Sequence, residues 1–363
     1  MKRSNIELLI VVFLGIVGTY LFSYTAYMVT TNRFPPSLLS IWDRWDTTFY
    51  LNIAREWYTS STIGEKHLGI VFLPLYPVFI KLFALIFKDY MLSGLIVSNL
   101  SYAIACFYLY KLMLLDYEHS KSLRSVIYLS IFPTAYFLHA SYTESLFLLL
   151  TISSFFYART ERWFVSSILC MLATATRITG VLLIPALLIE YLYQKNFDMK
   201  NFKKDMLMLF LTPLGLIAYL AINYLTFGDP FKFLEFQREH WSETITFPWR
   251  GFLGAWHSIM WNSPSDIISG FQIIISILGF LICIYSLFRI RLSYSVYLCI
   301  SWLIIVSASF WLSLPRFTLS IFPFFISLSL IGRNQGINYL ITFFSLLLFS
   351  LFTILFIQGR WAY

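Results

Sequence analysis

The segment Ile41–Leu51 carries two carboxylates, Asp43 and Asp46, among aromatic side chains. The aspartates are three residues apart, so on a helix they would share a face with Tyr50, about one turn from each other. Four aromatic side chains would seat this helix in the membrane interface: Trp42, Trp45, Phe49 and Tyr50. A carboxylate held there can serve as a general base. The alternative is an amphipathic interfacial helix whose aspartates are solvated or paired with Arg44. The spacing could also bind a divalent cation, but two carboxylates alone make a weak site, so no metal is predicted.

Further charged residues stand at the ends of apolar runs. Glu144, within Ser141–Ser145, lies at the mouth of a short run. It either contacts a substrate or occupies the first turn of a helix that Thr143 caps, and the two roles are compatible. Three arginines also lie at run ends: Arg177, Arg316 and Arg360. A guanidinium binds phosphate through paired N–H groups, so these arginines indicate a phosphate ligand. Snorkelling to lipid headgroups is the alternative for each of them.

The composition places these residues in a membrane protein. Of the 363 residues, 59% are hydrophobic and 12% are charged, and the mean hydropathy is +0.73. A soluble domain carries roughly 25% charged residues, so a soluble enzyme and a secreted disulfide-rich module are both excluded. The net charge of +8 fits an excess of Lys and Arg in cytoplasmic loops and does not call for a nucleic acid partner. The four cysteines lie inside apolar runs without a CxxC pair, so neither a disulfide framework nor a zinc site is predicted.

The apolar runs predict an all-α polytopic protein with about eleven transmembrane helices, since a span needs about 20 apolar residues. The runs are Ile6–Val29, Met91–Leu115, Leu123–His139, Ser145–Ala158, Trp163–Thr176, Ile178–Tyr193, Met206–Leu225, Ile267–Phe288, Ser293–Leu312, Phe317–Ile331 and Ile337–Ile357. The first run is too long for a signal peptide and is expected to be retained. One helix over Trp163–Tyr193 would be roughly 46 Å long, so a break is predicted near Arg177 and Gly180. No linker interrupts the chain, which favours one domain over residues 1–363.

Charge in the connecting segments predicts the orientation. Lys and Arg are concentrated in alternate segments, which the positive-inside rule places in the cytoplasm together with the N-terminus. This parity requires Gly69–Phe87, with Pro74 and Pro77, to be a juxtamembrane or re-entrant segment on the outer face. Two large outer loops result, 30–90 and 227–266. The carboxylates and the three arginines are then all extracytoplasmic, where the positive-inside rule does not account for an arginine.

The second outer loop predicts another amphipathic helix. A turn signal at Gly228-Asp229-Pro230 is followed by apolar and charged residues at helical spacing over Phe231–Trp241. His240 and His257 are isolated in the sequence, and an isolated histidine is more often structural than a ligand.

Several short motifs resemble those of PIG-V-type mannosyltransferases, the enzymes that add the second mannose to glycosylphosphatidylinositol, and their prokaryotic relatives. Arg44-Trp45-Asp46 with Phe49–Ala54 is similar to the R-W-D…Y-L-x-I-A start of that family. Similar segments follow in the family's order: Phe72–Pro77, Ser141–Phe147, Ala175–Gly180, Gly228–Pro230, Pro315–Phe317 and Arg360-Trp361. The sequence departs from the family at Ile178-Thr179, where an asparagine usually follows the motif arginine, and Asp43 is not a standard family residue. The acceptor of a prokaryotic relative is therefore as plausible as a glycosylphosphatidylinositol.

The resemblance implies a GT-C-type glycosyltransferase fold and a polyprenyl- or dolichyl-phosphate mannose donor. It implies transfer with inversion to a lipid-linked or glycolipid acceptor on the extracytoplasmic face, and it assigns the catalytic base to Asp46. No resident cofactor is predicted. The expected substrate-binding residues are Asp43, Arg44, Tyr50, Tyr76, Glu144, Arg177, Arg316, Arg360 and Trp361. The expected location is a prokaryotic cell membrane or the endoplasmic reticulum membrane.

Two other functions remain open from the sequence. A lipid or solute transporter places charges near the bilayer midplane and often shows inverted repeats, whereas here the charges gather at one face and no repeat is evident. A catalytically silent subunit of a glycosyltransferase complex is the other alternative. Mannose transfer by the purified chain would discriminate among the three.

Overall fold

A computed structural model describes residues 3–198, 204–242, 244–259, 265–309, 311 and 313–361. Within these ranges the chain is helical, apart from loops and one antiparallel bridge between Ile245 and Ala308. The α-helices are α1 (Arg3–Thr31), α2 (Thr47–Glu56), α3 (Leu75–Phe87), α4 (Tyr90–Met113), α5 (His119–Ser130), α6 (Glu144–Arg159), α7 (Trp163–Thr174), α8 (Leu183–Gln194), α9 (Leu214–Phe227), α10 (Lys232–Trp241), α11 (Pro248–Ser258), α12 (Ser265–Arg289), α13 (Leu292–Val306), α14 (Leu314–Leu319), α15 (Phe322–Ile331) and α16 (Gln335–Ile357). Shorter 3₁₀ segments span Ser40–Trp42, Ile63–Val71, Ala135–Leu138, Ile178–Leu182 and Lys204–Leu211.

Each apolar run of the sequence contains a helix. Five described helical stretches are long and apolar enough to cross a membrane: Ser4–Thr31, Tyr90–Met113, Asp205–Phe227, Ile267–Arg289 and Gln335–Ile357. The other runs hold shorter apolar helices, among them α7, α8, α13 and α15. The all-helical membrane class is therefore confirmed, because only a helix pairs every backbone N–H and C=O of a segment surrounded by lipid. The number of spans and their orientation stay predictions.

The break expected in Trp163–Tyr193 is present. Helix α7 ends at Thr174, and α8 begins only at Leu183, after the intervening 3₁₀ turn. Gly180 lies in this turn against the end of α7: a Cβ there would come within 2.7 Å of the carbonyl carbon of Ala173. A glycine is needed because the backbones approach too closely for a side chain.

Helix α6 lies at the centre of the bundle and packs against α4, α7 and α8. Small buried residues on α6 let these neighbours approach closely, as in other membrane helix bundles. For example, Ser166 of α7 donates its hydroxyl hydrogen to the carbonyl oxygen of Ser154, at 2.8 Å. The first residue of α6 is Glu144, so the packing of this helix carries a carboxylate to the interior of the protein.

The segment Ile41–Leu51 does not form the single interfacial helix that the sequence predicts. Helix α2 begins only at Thr47, because Asp43 follows the 3₁₀ turn and Trp45 has a left-handed backbone with φ of 50°. The expectation that Asp43 and Asp46 share a helical face is therefore wrong. Trp42 is fully buried rather than interfacial, and its ring packs edge-on against Tyr20.

The amphipathic helix predicted over Phe231–Trp241 is α10, which packs against the 3₁₀ segment Ile63–Val71 and against α9. The two loops that are predicted to be outer, 30–90 and 227–266, thus meet over the same end of the bundle. Parts of the predicted outer loop at 243 and 260–264, and of the predicted run at 310 and 312, lie outside the described residues.

Candidate active site

Two carboxylates and two arginines from four separate segments form one cluster. Nη1 of Arg316 donates to Oδ2 of Asp46 at 2.8 Å, and its Nε donates to Oε1 of Glu144 at 2.6 Å. Nη1 of Arg177 donates to the same Oε1 at 2.8 Å. We call these four residues the ion-pair cluster. Its charges alternate in sign along the chain of contacts, which is the arrangement that makes buried charges tolerable.

Burial within the ion-pair cluster decreases from Glu144 to Asp46. The side chain of Glu144 is 0% exposed, that of Arg316 8%, that of Arg177 15% and that of Asp46 20%. An unpaired ion at such depth would cost several kcal/mol, so the pairs must form together. Asp46 is the carboxylate with access to a molecule that enters from outside.

Aromatic rings hold the two guanidinium groups in place. Cζ of Arg316 lies 4.8 Å from the ring centre of Phe137 and 4.5 Å from that of Tyr142. Cζ of Arg177 lies 5.1 Å from the ring centre of Phe317. Each contact is a cation–π interaction, which strengthens as water is removed. The rings therefore restrict where each arginine can present its N–H groups.

A cavity of about 1260 Å³ opens beside the ion-pair cluster. Asp46, Arg177 and Arg316 line one part of it. One face of α13 lines another part with side chains at helical spacing: Tyr297, Ser301, Ile304 and Ile305. The cavity therefore combines a cationic recess with a mostly apolar wall, which suits a molecule with an anionic head and an apolar tail.

Aromatic and charged residues of the two predicted outer loops line a further part of the cavity. They are Trp45, Phe49, Glu235, Arg238, Glu239, His240 and Trp241, and Trp361 joins them from the segment after α16. The rings of Trp45 and Trp361 meet edge to face, with centres 5.0 Å apart. The helical spacing of α10 is visible in the sequence, but its position beside Asp46 is not, so sequence reasoning missed this wall. His240, expected to be structural, lines the cavity, and its ring centre lies 6.2 Å from that of His67.

The structure distributes the expected substrate-binding residues unevenly. Tyr50, Arg177, Arg316 and Trp361 line the cavity together with Asp46, the expected base, whereas the described lining does not include Asp43, Arg44, Tyr76, Glu144 or Arg360. Tyr50 lies at the first turn of α2, and burial together with the negative charge of Asp46 raises the pKa of its phenol. The hydroxyl of Tyr50 therefore stays protonated and can donate a hydrogen bond at any physiological pH.

Arg44 and Tyr76 contact backbone groups instead of the cavity. Nη2 of Arg44 donates to the carbonyl oxygen of Ile357 at 2.8 Å, and Nη1 donates to that of Asp43 at 3.0 Å. The hydroxyl of Tyr76 donates to the carbonyl oxygen of Gly94 at 3.0 Å. These contacts tie the segment before α2 to α16, and α3 to α4, so both side chains support the site from outside it.

Other expectations for the site also change. The predicted cap of α6 is absent among the described contacts, because Thr143 makes no side-chain bond to the helix and its Oγ1 accepts from Nη1 of Arg177 at 3.2 Å. The side chain of Asp43 is exposed, and its Oδ1 accepts a long hydrogen bond, 3.5 Å, from the hydroxyl group of Thr48. Within the part of the chain that the structure describes, no three His, Cys, Asp or Glu side chains gather as metal ligands.

Comparisons with known proteins place the fold. Residues 73–224, less than half of the chain, match the family model of dolichyl-phosphate-mannose-protein mannosyltransferases. A comparison with curated protein sequences finds no match. The structure is similar to that of ArnT from Cupriavidus metallidurans bound to undecaprenyl phosphate, with a TM-score of 0.57 at 12% identity over 91% of this chain and 62% of that chain. It also resembles the apo oligosaccharyltransferase of Archaeoglobus fulgidus, with a TM-score of 0.49 at 12% identity over 97% of this chain and 56% of that chain.

The chain spans about three fifths of the length of these two structures. At 12% identity the likeness to ArnT concerns the fold. The finer resemblance to PIG-V-type enzymes stays a prediction, because no comparison tests it. Over its described residues the chain is thus a helical membrane protein with a GT-C-type fold, and residues 73–224 are similar to dolichyl-phosphate-mannose-protein mannosyltransferases.

Proposed function

We propose that the protein is a membrane glycosyltransferase that takes a sugar from a polyprenyl-phosphate donor and transfers it to a hydroxyl group of a lipid-linked or glycolipid acceptor. The observation that carries the proposal is the ion-pair cluster, with Asp46 and both arginines open to a cavity that has an apolar wall. Mannose is the proposed sugar, supported by the resemblance to PIG-V-type enzymes and by the family match over residues 73–224. The proposed site faces the extracytoplasmic side.

The donor phosphate binds at Arg177 and Arg316. A guanidinium has N–H donors on three nitrogen atoms, and the contacts described above use Nε and Nη1 of Arg316 and Nη1 of Arg177. Both arginines therefore keep N–H groups for the single negative charge of a phosphodiester. The polyprenyl chain lies along the face of α13 formed by Tyr297, Ile304 and Ile305, where burial of each CH₂ contributes about 0.8 kcal/mol.

Asp46 acts as the general base. It accepts the proton of the acceptor hydroxyl while the hydroxyl oxygen forms a bond to the anomeric carbon of the donor sugar. The bond from that carbon to the phosphate oxygen breaks, and its electron pair stays on the polyprenyl phosphate, which gains a second negative charge. Arg177 and Arg316 stabilise this charge as it develops, an electrostatic contribution that is large when the donors are held in place beforehand. Attack opposite to the leaving phosphate inverts the anomeric configuration.

The test uses the purified full chain in lipid nanodiscs, with dolichyl-phosphate mannose as donor and n-octyl mannoside as acceptor. Asp46→Asn should reduce kcat/KM by about 10²–10⁴, the usual contribution of a general base. Asp89→Asn is the matched control, since Asp89 caps α4 outside the described cavity lining and Asn can cap equally well. Undiminished transfer by the Asp46 variant would reject the base assignment. Absence of transfer by the unmodified chain with this pair would reject mannosyl transfer from that donor to that acceptor.

A further inference from the structure

Glu144 lies behind the two arginines of the ion-pair cluster. Its side chain is fully buried, and it is not part of the described cavity lining, whereas Arg177 and Arg316 both are. A sugar in the cavity therefore meets the arginines before it can reach this carboxylate. The sequence-based expectation that Glu144 contacts the substrate does not fit this placement.

We propose that Glu144 is a positioning residue that holds Arg177 and Arg316 as one preformed phosphate clamp. This inference rests on the proposed function, because it assigns the clamp to the donor phosphate. A single atom, Oε1 of Glu144, accepts hydrogen bonds from both arginines, at 2.8 Å from Arg177 and 2.6 Å from Arg316. The shared atom fixes the distance between the two guanidinium groups and hence the width of the site between them.

Repulsion between the two arginines explains why the phosphate clamp needs the negative charge of Glu144 between them. Two guanidinium groups that contact one oxygen atom repel each other, and the repulsion is stronger in a protein interior than in water. Asp46 cannot replace Glu144 as the shared counter-ion of both arginines, since its described ion pair is with Arg316 and not with Arg177. Without Glu144, the arginines are expected to separate or to draw in another counter-ion, and the clamp would no longer match one phosphate group.

The second carboxylate oxygen supports the same inference. Oε2 of Glu144 is buried and has no hydrogen-bond partner among the described residues. A purely structural carboxylate at such depth is usually satisfied at both oxygens, because each unmet acceptor destabilises the fold. Here both cations gather on Oε1 instead, which places them side by side rather than one on each oxygen.

Arg316 contacts Asp46 and is also proposed to bind the donor phosphate, and Glu144 allows it to do both. Nε of Arg316 contacts Glu144 at a fully buried position, whereas Nη1 contacts Asp46, which is partly open to the cavity. When Asp46 turns to an acceptor hydroxyl, the contact with Glu144 keeps Arg316 in place. The base can then move without loss of the phosphate site.

The chain contains a matched control at the other end of α6. Glu190 is also 0% exposed, and it too contacts two arginines: Arg291 through Nε and Nη2, at 2.7 and 2.8 Å, and Arg159 at 3.6 Å. Arg159 ends the helix that Glu144 begins, so the two clusters are about 22 Å apart along its axis. Replacing either glutamate with glutamine removes the same charge from a buried arginine pair, but only Glu144 lies beside the cavity.

The experiment measures binding of undecaprenyl phosphate, and of undecaprenol as the phosphate-free control lipid, to the full chain in nanodiscs. Glu144→Gln should weaken binding of the phosphate lipid by about tenfold to a hundredfold, the effect of losing charge-assisted hydrogen bonds, with undecaprenol unaffected. Glu190→Gln should lower the melting temperature without changing either affinity.

In transfer assays, Glu144→Gln should raise the KM for dolichyl-phosphate mannose while kcat falls less. Glu144→Asp, which keeps the charge, should restore part of the affinity and covers the case in which the glutamine variant does not fold.

Different results would overturn different statements. Equal affinity of the unmodified chain and Glu144→Gln for undecaprenyl phosphate would reject the positioning role, as would an equal loss of affinity in Glu190→Gln. A rise in the acceptor KM alone would show that Glu144 contacts the acceptor instead. If the unmodified chain binds undecaprenyl phosphate no better than undecaprenol, the phosphate site itself is wrong and the proposed function fails with it.

Discussion

Arg316 is the arginine of the ion-pair cluster that contacts both carboxylates. It also lies over two aromatic rings, so its position is determined from several sides at once. Only a planar group with donors in a fixed fork can satisfy Asp46 and Glu144 and still offer an N–H to a phosphate. The chemistry of this site therefore depends on the shape of the cation as well as on its charge.

Arg316→Lys tests this dependence. A lysine keeps the charge but has one compact ammonium group, which cannot reach both carboxylates and a phosphate in the same geometry. We expect kcat/KM for transfer to fall by about tenfold to a hundredfold, because one or two charge-assisted hydrogen bonds are lost. Arg333→Lys, outside the described cavity lining, should transfer at the rate of the unmodified chain. Equal activity of the two variants would show that charge alone is enough at Arg316.

At the scale of single elements, breaks in helices place the functional groups. Arg177 lies in the extended residue between α7 and the following 3₁₀ turn, and Asp46 lies just before α2. Side chains at such breaks can point along the bundle toward its end, whereas those within a helix point sideways into lipid or neighbouring helices. The site therefore depends on backbone irregularities, which membrane proteins tolerate where they line a cavity.

Gly180→Ala tests the break that holds Arg177. The added Cβ would lie within 2.7 Å of backbone atoms of Ala173 and Thr174, so the turn must shift. Overpacking of this kind destabilises by about 1–3 kcal/mol. The melting temperature should therefore fall, and the donor KM should rise as Arg177 moves. Gly270→Ala in α12 is the control, because among the described residues no atom beyond its own helix turn lies within 4 Å of a Cβ there, and alanine favours a helix. Unchanged stability and donor KM in Gly180→Ala would contradict this account.

At the scale of the whole molecule, the cavity is assembled from both ends of the chain. Trp45 belongs to the first predicted outer loop, α10 to the second, and Trp361 follows the last helix. Arg44 joins two of these regions through its bond to the carbonyl oxygen of Ile357. Helices α1 and α16, which adjoin Trp45 and Trp361 in the chain, also pack side by side.

Ser301→Trp tests whether the wall of α13 holds the lipid tail. The larger side chain would fill the cavity where the polyprenyl chain is proposed to lie, and displacing about two CH₂ groups should raise the donor KM about tenfold. Leu303→Trp, on the outward side of the same helix, leaves the cavity unchanged and should keep the donor KM. The comparison uses steady-state transfer with dolichyl-phosphate mannose. If both variants behave alike, the tail lies elsewhere.

Much of the fold follows from local sequence patterns. Long apolar runs predict membrane helices, because lipid leaves the backbone no partner except itself. The break at Gly180 and helix α10 follow from length and periodicity, which depend only on neighbouring residues. Asp46 also stands out locally, as a carboxylate among aromatic side chains beside a predicted membrane surface.

Which residues come together in the site depends on the tertiary structure. Glu144 and Arg316 are 172 residues apart in sequence, and no local pattern indicates that they share a hydrogen bond. Hydropathy and spacing select Asp43 as readily as Asp46, and in the structure the left-handed backbone at Trp45 lies between the two. The sequence alone determined the membrane helices and the residue types available at one face, because these depend on hydropathy and neighbours. Which carboxylate reaches the cavity and which lies beneath the arginines depended on packing between distant helices, because a buried charge is stable only where that packing supplies its partner.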